Sequence, residues 1–355
     1  MTTIDFEPKP LDEGAEKAAR EKWARVAKPL YSLGRFEEMI ARAAAIQGTA
    51  EVSLFPRAAL VFCGDHGVVA QGVSQSGSEV TTAVAESIAE GQSNINLMCA
   101  CARTDVFCLD MGMKAPARSA KILDLRVGPG TRDFTREPAM TKAQALNALQ
   151  NGMDAVGSLS RKGYKLLAVG EMGIGNTTAA AALGCAYLGE SPSLFVGRGS
   201  GLSDEGLLRK RQAVEKALLL HAKAFSDPVM TLACLGGFEI AGMAGAFLGG
   251  AKYGVTMVID GVISAVAALA AWRILPAAKD YMLPSHASRE PAAQRVLSAL
   301  GLEPVLHADM ALGEATGAVM LFPLLDMALS LYHGSHSFES LGMEAYTPFE
   351  NDTGL

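Results

Sequence analysis

Four short apolar runs recur along the chain, each ending in glycine beside an acid: "AALVFCGDHG" (58–67), "DVFCLDMGM" (105–113), "KLLAVGEMGIG" (165–175) and "VTMVIDGV" (255–262). Runs that are apolar throughout, rather than alternating, suit strands buried on both faces of a parallel sheet. Between them, apolar residues recur at intervals of three and four, which predicts helices. In 141–162 one stripe runs through Leu146, Leu149, Met153, Val156 and Leu159. Thr141 and Gln144 have the spacing of a capping box, and Gly163 supplies a stop. The same reading predicts helices over 78–102, 177–188, 204–225, 237–252, 262–272 and 311–333.

Strand–helix alternation of this kind predicts an α/β fold with a doubly wound parallel sheet flanked by helices. The first 50 residues and the C-terminal segment show helical pattern without buried strands. The expected division is 1–50, a helical segment of a smaller domain; 51–300, the α/β domain; and 301–355, a second helical segment of the smaller domain. Ligands of open α/β sheets gather at the carboxyl ends of the strands. All four expected strands end in acids and glycines: Asp65-His66-Gly67, Asp110-Met111-Gly112, Glu171 to Gly175, and Asp260-Gly261. One shared site is therefore expected there. The long apolar stretch 255–272 is interrupted by Asp260-Gly261 and reads as a buried strand and helix, so no membrane span is expected.

Composition narrows the function classes. Of 355 residues, half are hydrophobic, and 31 basic residues face 37 acidic ones for a net charge of −6. That balance argues against nucleic acid as the main partner, which needs clustered cations. A small anion held by backbone amides stays open. Cys63, Cys99, Cys101, Cys108, Cys185 and Cys234 form no C-x-x-C pair and mostly lie in apolar runs. They read as reduced thiols of a cytoplasmic protein, and no metal site is expected. The His333/His336 pair reads as surface or packing histidines. The acidic opening "MTTIDFEPKPLDEGAEK" has no apolar core, so no signal peptide is expected.

The candidate chemistry centres on Gly170 to Thr178. Gly173 and Gly175 let the backbone approach a ligand closely, and a helix starting near Thr177 presents amides and its positive dipole end to an anion. Glu171 adds a carboxylate, and Asn176 and Thr177 add polar side chains. The spacing matches neither a P-loop nor a dinucleotide fingerprint, which disfavours an NTPase and a dehydrogenase. Taken alone, the turn fits a capped helix start as well as an anion cradle. "VGRGSGLSDEGLLRKR" (196–211) gives a second glycine cluster with Lys210 in range of an anion, or a surface loop before a solvated helix. Glu314 lies among Gly313, Ala315, Thr316 and Gly317 ahead of an apolar run. Partial desolvation there would raise its pKa and suit it to general-base work; a first-turn glutamate favoured by the helix dipole is the alternative. "MLPSHAS" (282–288) reads as a polar loop, and Asp65-His66 as a strand end bonded to loop amides or an acid–base pair.

Taken together, "SLGRFEEM" (32–39), "CGDHGV" (63–68), "VGEMGIGNTT" (169–178), "GRGSGL" (197–202), "CLGGFEIAGMAGAFLGGA" (234–251), "VIDGVISAVAALAA" (258–271), "PSHAS" (284–288) and "LGEATGAVML" (312–321) resemble the nicotinate-nucleotide:dimethylbenzimidazole phosphoribosyltransferase family over nearly the whole chain. The resemblance implies a Rossmann-like domain with a small helical domain, assembled as a dimer. It implies transfer of phosphoribosyl from nicotinate mononucleotide to an aromatic base, with release of nicotinate and inversion at C1′, and no metal or redox cofactor. Residue by residue it implies Glu314 as general base and Glu171 as a second carboxylate near ribose and acceptor. Gly173, Asn176, Thr177 and Lys210 would hold the phosphate, Asp260 and Ser288 would line the cavity, and Ser76 and Val84 would face the acceptor. The chain departs from the family pattern at Leu30 and Tyr31, at Gly77 where a proline is usual, and at Val84 where a glutamine is known. These departures surround the acceptor pocket. They leave two acceptors open, 5,6-dimethylbenzimidazole and, as in a variant branch working as two homologous subunits, phenol or p-cresol. A nucleotide-binding subunit without turnover is the non-enzymatic alternative.

Overall fold

A computed structural model describes residues 4–199 and 201–347. Ser200, inside the glycine cluster 197–202, and residues 1–3 and 348–355 lie outside the described residues. Six parallel strands form one sheet: β1 (Arg57–Gly64), β2 (Asp105–Gly112), β3 (Leu123–Asp124), β4 (Leu166–Met172), β5 (Thr256–Ile259) and β6 (Met282–Pro284). Their order is β3-β2-β1-β4-β5-β6, so the winding reverses between β1 and β4.

The strands are apolar throughout because both faces are covered. Leu60, Phe62, Leu167, Val169, Met257 and Ile259 enter one core; Ala59, Val61, Cys63, Leu166, Ala168 and Val258 enter the other. On the first face, helices Lys142–Arg161 and Phe238–Tyr253 pack backbone to backbone. A Cβ on Gly152 would sit 1.9 Å from the Gly242 carbonyl oxygen, so only glycine permits this approach. The second face carries helices from both ends of the chain, Glu13–Arg25, Arg35–Gln47 and Thr316–Gly334. Trp23 packs tilted against Tyr332 with ring centroids 4.9 Å apart, and Val26 bridges to Ser337.

The four expected strands and the helix over 141–162 are present, the latter as Lys142–Arg161 with its capping box at Thr141. The segment 78–102 differs: it splits into Glu79–Glu90 and Asn94–Cys101, because Gly91 turns left-handed (φ 80°) and Ser93 caps a new helix. The helix expected from 311 begins at Thr316, since Gly313, Glu314 and Ala315 all have positive φ (84°, 58° and 67°). The stretch 255–272 resolves into β5 and the buried helix Val262–Ile274. Thr316–Gly334 is long and apolar enough to cross a membrane by length and composition; here Ala318, Val319, Leu321, Phe322 and Leu325 are buried in the second core.

Candidate active site

A cavity of about 350 Å³ opens at the carboxyl ends of β4, β5 and β6. Every expected site residue lines it: Ser76, Val84, Glu171, Gly173, Asn176, Thr177, Lys210, Asp260, Ser288 and Glu314. The expectation that all four strand ends share this site needs correction. Asp65 accepts from the Thr81 hydroxyl and the Lys114 amide, both at 2.7 Å, and lines a separate cleft. Asp110 folds back on the Gly112 and Met113 amides. The ends of β1 and β2 thus satisfy their own loops, and the open site lies on the other half of the sheet.

One end of the cavity is built for an anion. The glycine turn packs against the end of β1, where a Cβ on Gly173 would meet the Gly64 carbonyl oxygen at 2.3 Å. Gly175 (φ 97°) then starts helix Asn176–Leu188; the Asn176 amide donates to the Gly173 carbonyl at 3.3 Å and the Thr178 amide to the Gly175 carbonyl at 3.0 Å, so what these first residues offer an anion is the positive dipole end of the helix. Facing them, the Lys210 ammonium donates to Thr177 Oγ1 at 2.7 Å and to the Gly197 carbonyl at 3.1 Å. Lys210 is 1 % exposed, and burial pulls its pKa down to about 8, with Glu290 partly opposing. An incoming phosphate would meet this ammonium, the Thr177 hydroxyl and the helix end together.

The opposite side carries the carboxylates. Glu171, half-buried, accepts from the Asn176 amide group. Burial, then the charges of Asp260 and Glu239, push its pKa up to about 8; the Asn176 bond opposes and Glu314 adds a smaller push. Glu314 is also raised, by burial first; a hydrogen bond from the Ile95 backbone opposes and Asp260 adds to the rise. Its Oε2 is buried with no partner among the described residues.

Asp260 sets the backbone that carries Glu314. Its Oδ2 accepts from the Ala315 amide at 3.1 Å and its Oδ1 from the Ala318 amide at 3.0 Å. It thereby caps helix Thr316–Gly334 from the end of β5 and holds two non-glycine residues, Glu314 and Ala315, in a left-handed conformation that such residues rarely adopt. Burial raises the Asp260 pKa, with His286 opposing.

Val73, Val80, Val84, Leu202 and Leu312 make an apolar wall beside Ser74 and Ser76. Sequence reasoning missed Arg198 and Glu290, which also line the cavity. The expected polar loop 282–288 needs correction too: His286 there is buried, lines the cavity and packs against Gly317, where a Cβ would overlap its ring. The signal was available in Gly317, which needs a reason to lack a side chain at a helix start. His66 does not reach this cavity. Its Nε2 pairs with Glu239 Oε1 at 2.5 Å behind the glycine turn.

Comparisons with known proteins bear on the family and the fold. A family model described as Phosphoribosyltransferase matches residues 8–343. A protein of Acetivibrio thermocellus named nicotinate-nucleotide--dimethylbenzimidazole phosphoribosyltransferase is 40% identical over 323 residues, 91% of this chain and 92% of that one. A protein of the same name from Pseudomonas putida is 40% identical over 324 residues, again 91% of this chain and 92% of that one. The crystal structure of CobT from Thermus thermophilus superposes with a TM-score of 0.87 at 39% identity, covering 94% of this chain and all of that one.

Proposed function

The chain belongs to this phosphoribosyltransferase family, and on that premise we propose that it transfers phosphoribosyl from nicotinate mononucleotide to 5,6-dimethylbenzimidazole. The products are nicotinate and an α-riboside 5′-phosphate. The observation that carries the reading is Glu314, a carboxylate with an unpartnered oxygen across the cavity from the Lys210–Thr177 anion cradle.

The donor phosphate rests on the turn 173–177 and Lys210, which leaves the ribose beside Glu171. The acceptor ring lies along the Val73–Val80–Val84 wall with its N–H toward Glu314. A ring nitrogen of the acceptor attacks C1′ while the C1′–N bond to nicotinate breaks. That bond's electron pair returns to the pyridinium nitrogen, so the leaving group needs no acid. Glu314 takes the proton that the acceptor ring loses, and a raised pKa makes it a better base for this step. Attack opposite the leaving group inverts C1′ from β to α.

We propose also that two copies of the chain pair, and that the exposed Leu97, Met320, Met327 and Leu331 contribute to the contact. The location proposed is cytoplasmic, in keeping with six free cysteines. The test is a product assay with the purified chain, nicotinate mononucleotide and either 5,6-dimethylbenzimidazole or phenol. Nicotinate and riboside from the benzimidazole support the reading; product from phenol alone, or from neither, overturns it.

A further inference from the structure

We propose that His66 and Glu239 form a positioning pair for the transfer reaction, set directly behind the glycine turn, which fixes that turn and presents a negative charge to the far side of Glu171. The inference rests on the functional reading above and concerns two residues that never reach the cavity.

The pair is built into the centre of the sheet. His66 follows β1, and Glu239 stands in the first turn of helix Phe238–Tyr253, where the dipole favours a carboxylate. Both side chains are fully buried. The carboxylate lies flat against two backbones: a Cβ on Gly64 would be 2.6 Å from Glu239 Oε2, and one on Gly237 2.4 Å. The next layer outward is the turn itself. Gly173 stacks on the Gly64 carbonyl, and a Cβ on Gly175 would sit 3.0 Å from His66 Cβ. From pair to cavity there is thus one layer of backbone, the turn itself, with the Val69 side chain packed beside Gly175. His66 Nδ1 and Glu239 Oε2 have no partner among the described residues, so the pair hangs on the single 2.5 Å link. Removing either member strands the other in a dry site.

The electrostatics point the same way. The charged groups around Glu171 are Asp260 at the end of β5, Glu314 before helix Thr316–Gly334 and Glu239 behind the turn; Asn176 is its neutral partner. Cys63 on β1, beside it, is a thiol held well above its ordinary range, first by the hydrogen bond it shares with Cys108, and so uncharged. Glu239 in turn faces His66 and Asp65. With its pKa at about 8, Glu171 keeps its proton at neutral pH. It can then donate a hydrogen bond to a sugar hydroxyl, which leaves Glu314 as the carboxylate that accepts the acceptor's proton. Two carboxylates in one site take different roles because their surroundings differ.

The experiment is the pH dependence of kcat at saturating donor for the unmodified enzyme, Glu239→Gln, His66→Gln and Glu239→Asp, each checked for folding by circular dichroism. Saturation matters, because bound phosphate keeps Lys210 charged and removes its titration from kcat. The unmodified enzyme should lose kcat above a pH of about 8. Glu239→Gln removes the charge, and His66→Gln removes the side chain that holds the carboxylate behind the turn. Glu239→Gln should move this alkaline limb down by about one pH unit, and both variants should raise the donor KM. Glu239→Asp, which keeps the charge, should keep the limb in place. A folded Glu239→Gln enzyme with the limb unmoved, or a folded His66→Gln enzyme with the donor KM unchanged, overturns the proposal. Infrared titration of the unmodified protein beside Glu171→Gln reads the carboxyl directly: a carboxylic-acid band lost in Glu171→Gln that fades as pH passes about 8 supports the proposal, and its absence at neutral pH overturns it. If the unmodified chain releases no nicotinate, the functional reading fails instead, and the infrared titration still decides the state of Glu171.

Discussion

The backbone amide of Glu314 donates to the carbonyl of Glu171 at 3.2 Å. The two carboxylates proposed for the reaction come from a central strand and from the segment before helix Thr316–Gly334, yet main chain joins them directly. The spacing of their backbones is therefore set by the main chain, and each side chain has its own role to test.

Glu314→Gln keeps the shape of the side chain and removes its basicity. Its kcat should fall roughly 10²–10⁴-fold, the usual contribution of a positioned base. The donor KM should change little, because the phosphate end of the cavity is untouched. Initial rates of nicotinate release at several donor concentrations check both.

Asp260→Ala withdraws the acceptor from two amides at once. It should cost about 2–4 kcal/mol of stability, the range for charged hydrogen bonds lost in a buried place. It should also lower kcat more than it raises KM, because Glu314 leaves its left-handed turn. Urea unfolding beside steady-state kinetics tests the pair of effects, and Asp260→Asn should fall between the two.

Lys210→Met should raise the donor KM by roughly 10–100-fold, the worth of charge-assisted bonds to phosphate. The same change should make the ligand-free protein more resistant to heat at pH 7. Lys210 gives up its proton at about 8 in the folded state against 10.5 as the ordinary value. Between those values the unfolded chain holds more protons, so this group makes stability rise with pH, and the gain is lost as pH falls through about 8. Lys210→Met removes that dependence, which a series of melting temperatures reads out.

Glu171 has the opposite sign. Its ordinary value is 4.5 and its folded value about 8. Below 4.5 both states are protonated; between the two values the unfolded chain ionises first, so stability falls as pH rises, and above about 8 the cost is constant. Glu171→Gln should therefore raise the melting temperature at pH 8 and leave it nearly unchanged at pH 4. Equal shifts at both pH values would refute the assignment.

The central strands were legible because they are apolar on both faces, a pattern that only a covered parallel sheet requires. The edge strands β3 and β6, two and three residues long, are too short to carry a period. Glu171 and Glu314 were legible because a carboxylate among glycines and alanines is out of place in a core. What the sequence hid was connectivity in space. Asp260 reads as a strand-end acid like Asp65 and Asp110, and nothing local says that it caps a helix beginning at Thr316. His66 likewise reads as part of the same cluster of strand-end acids, and its partner Glu239 lies 173 positions away.

The meeting of both chain ends on one face of the sheet has a consequence for assembly. The groups that grip phosphate, from Gly173 to Lys210, leave the ribosome well before Glu314, and the helix behind Glu314 docks on segments made first, at Trp23 and Val26. A polypeptide that stops before Gly313 would have made every group of the grip while lacking both the base and the helix that fills the second core. Closing the two ends together thus completes core and site in one step.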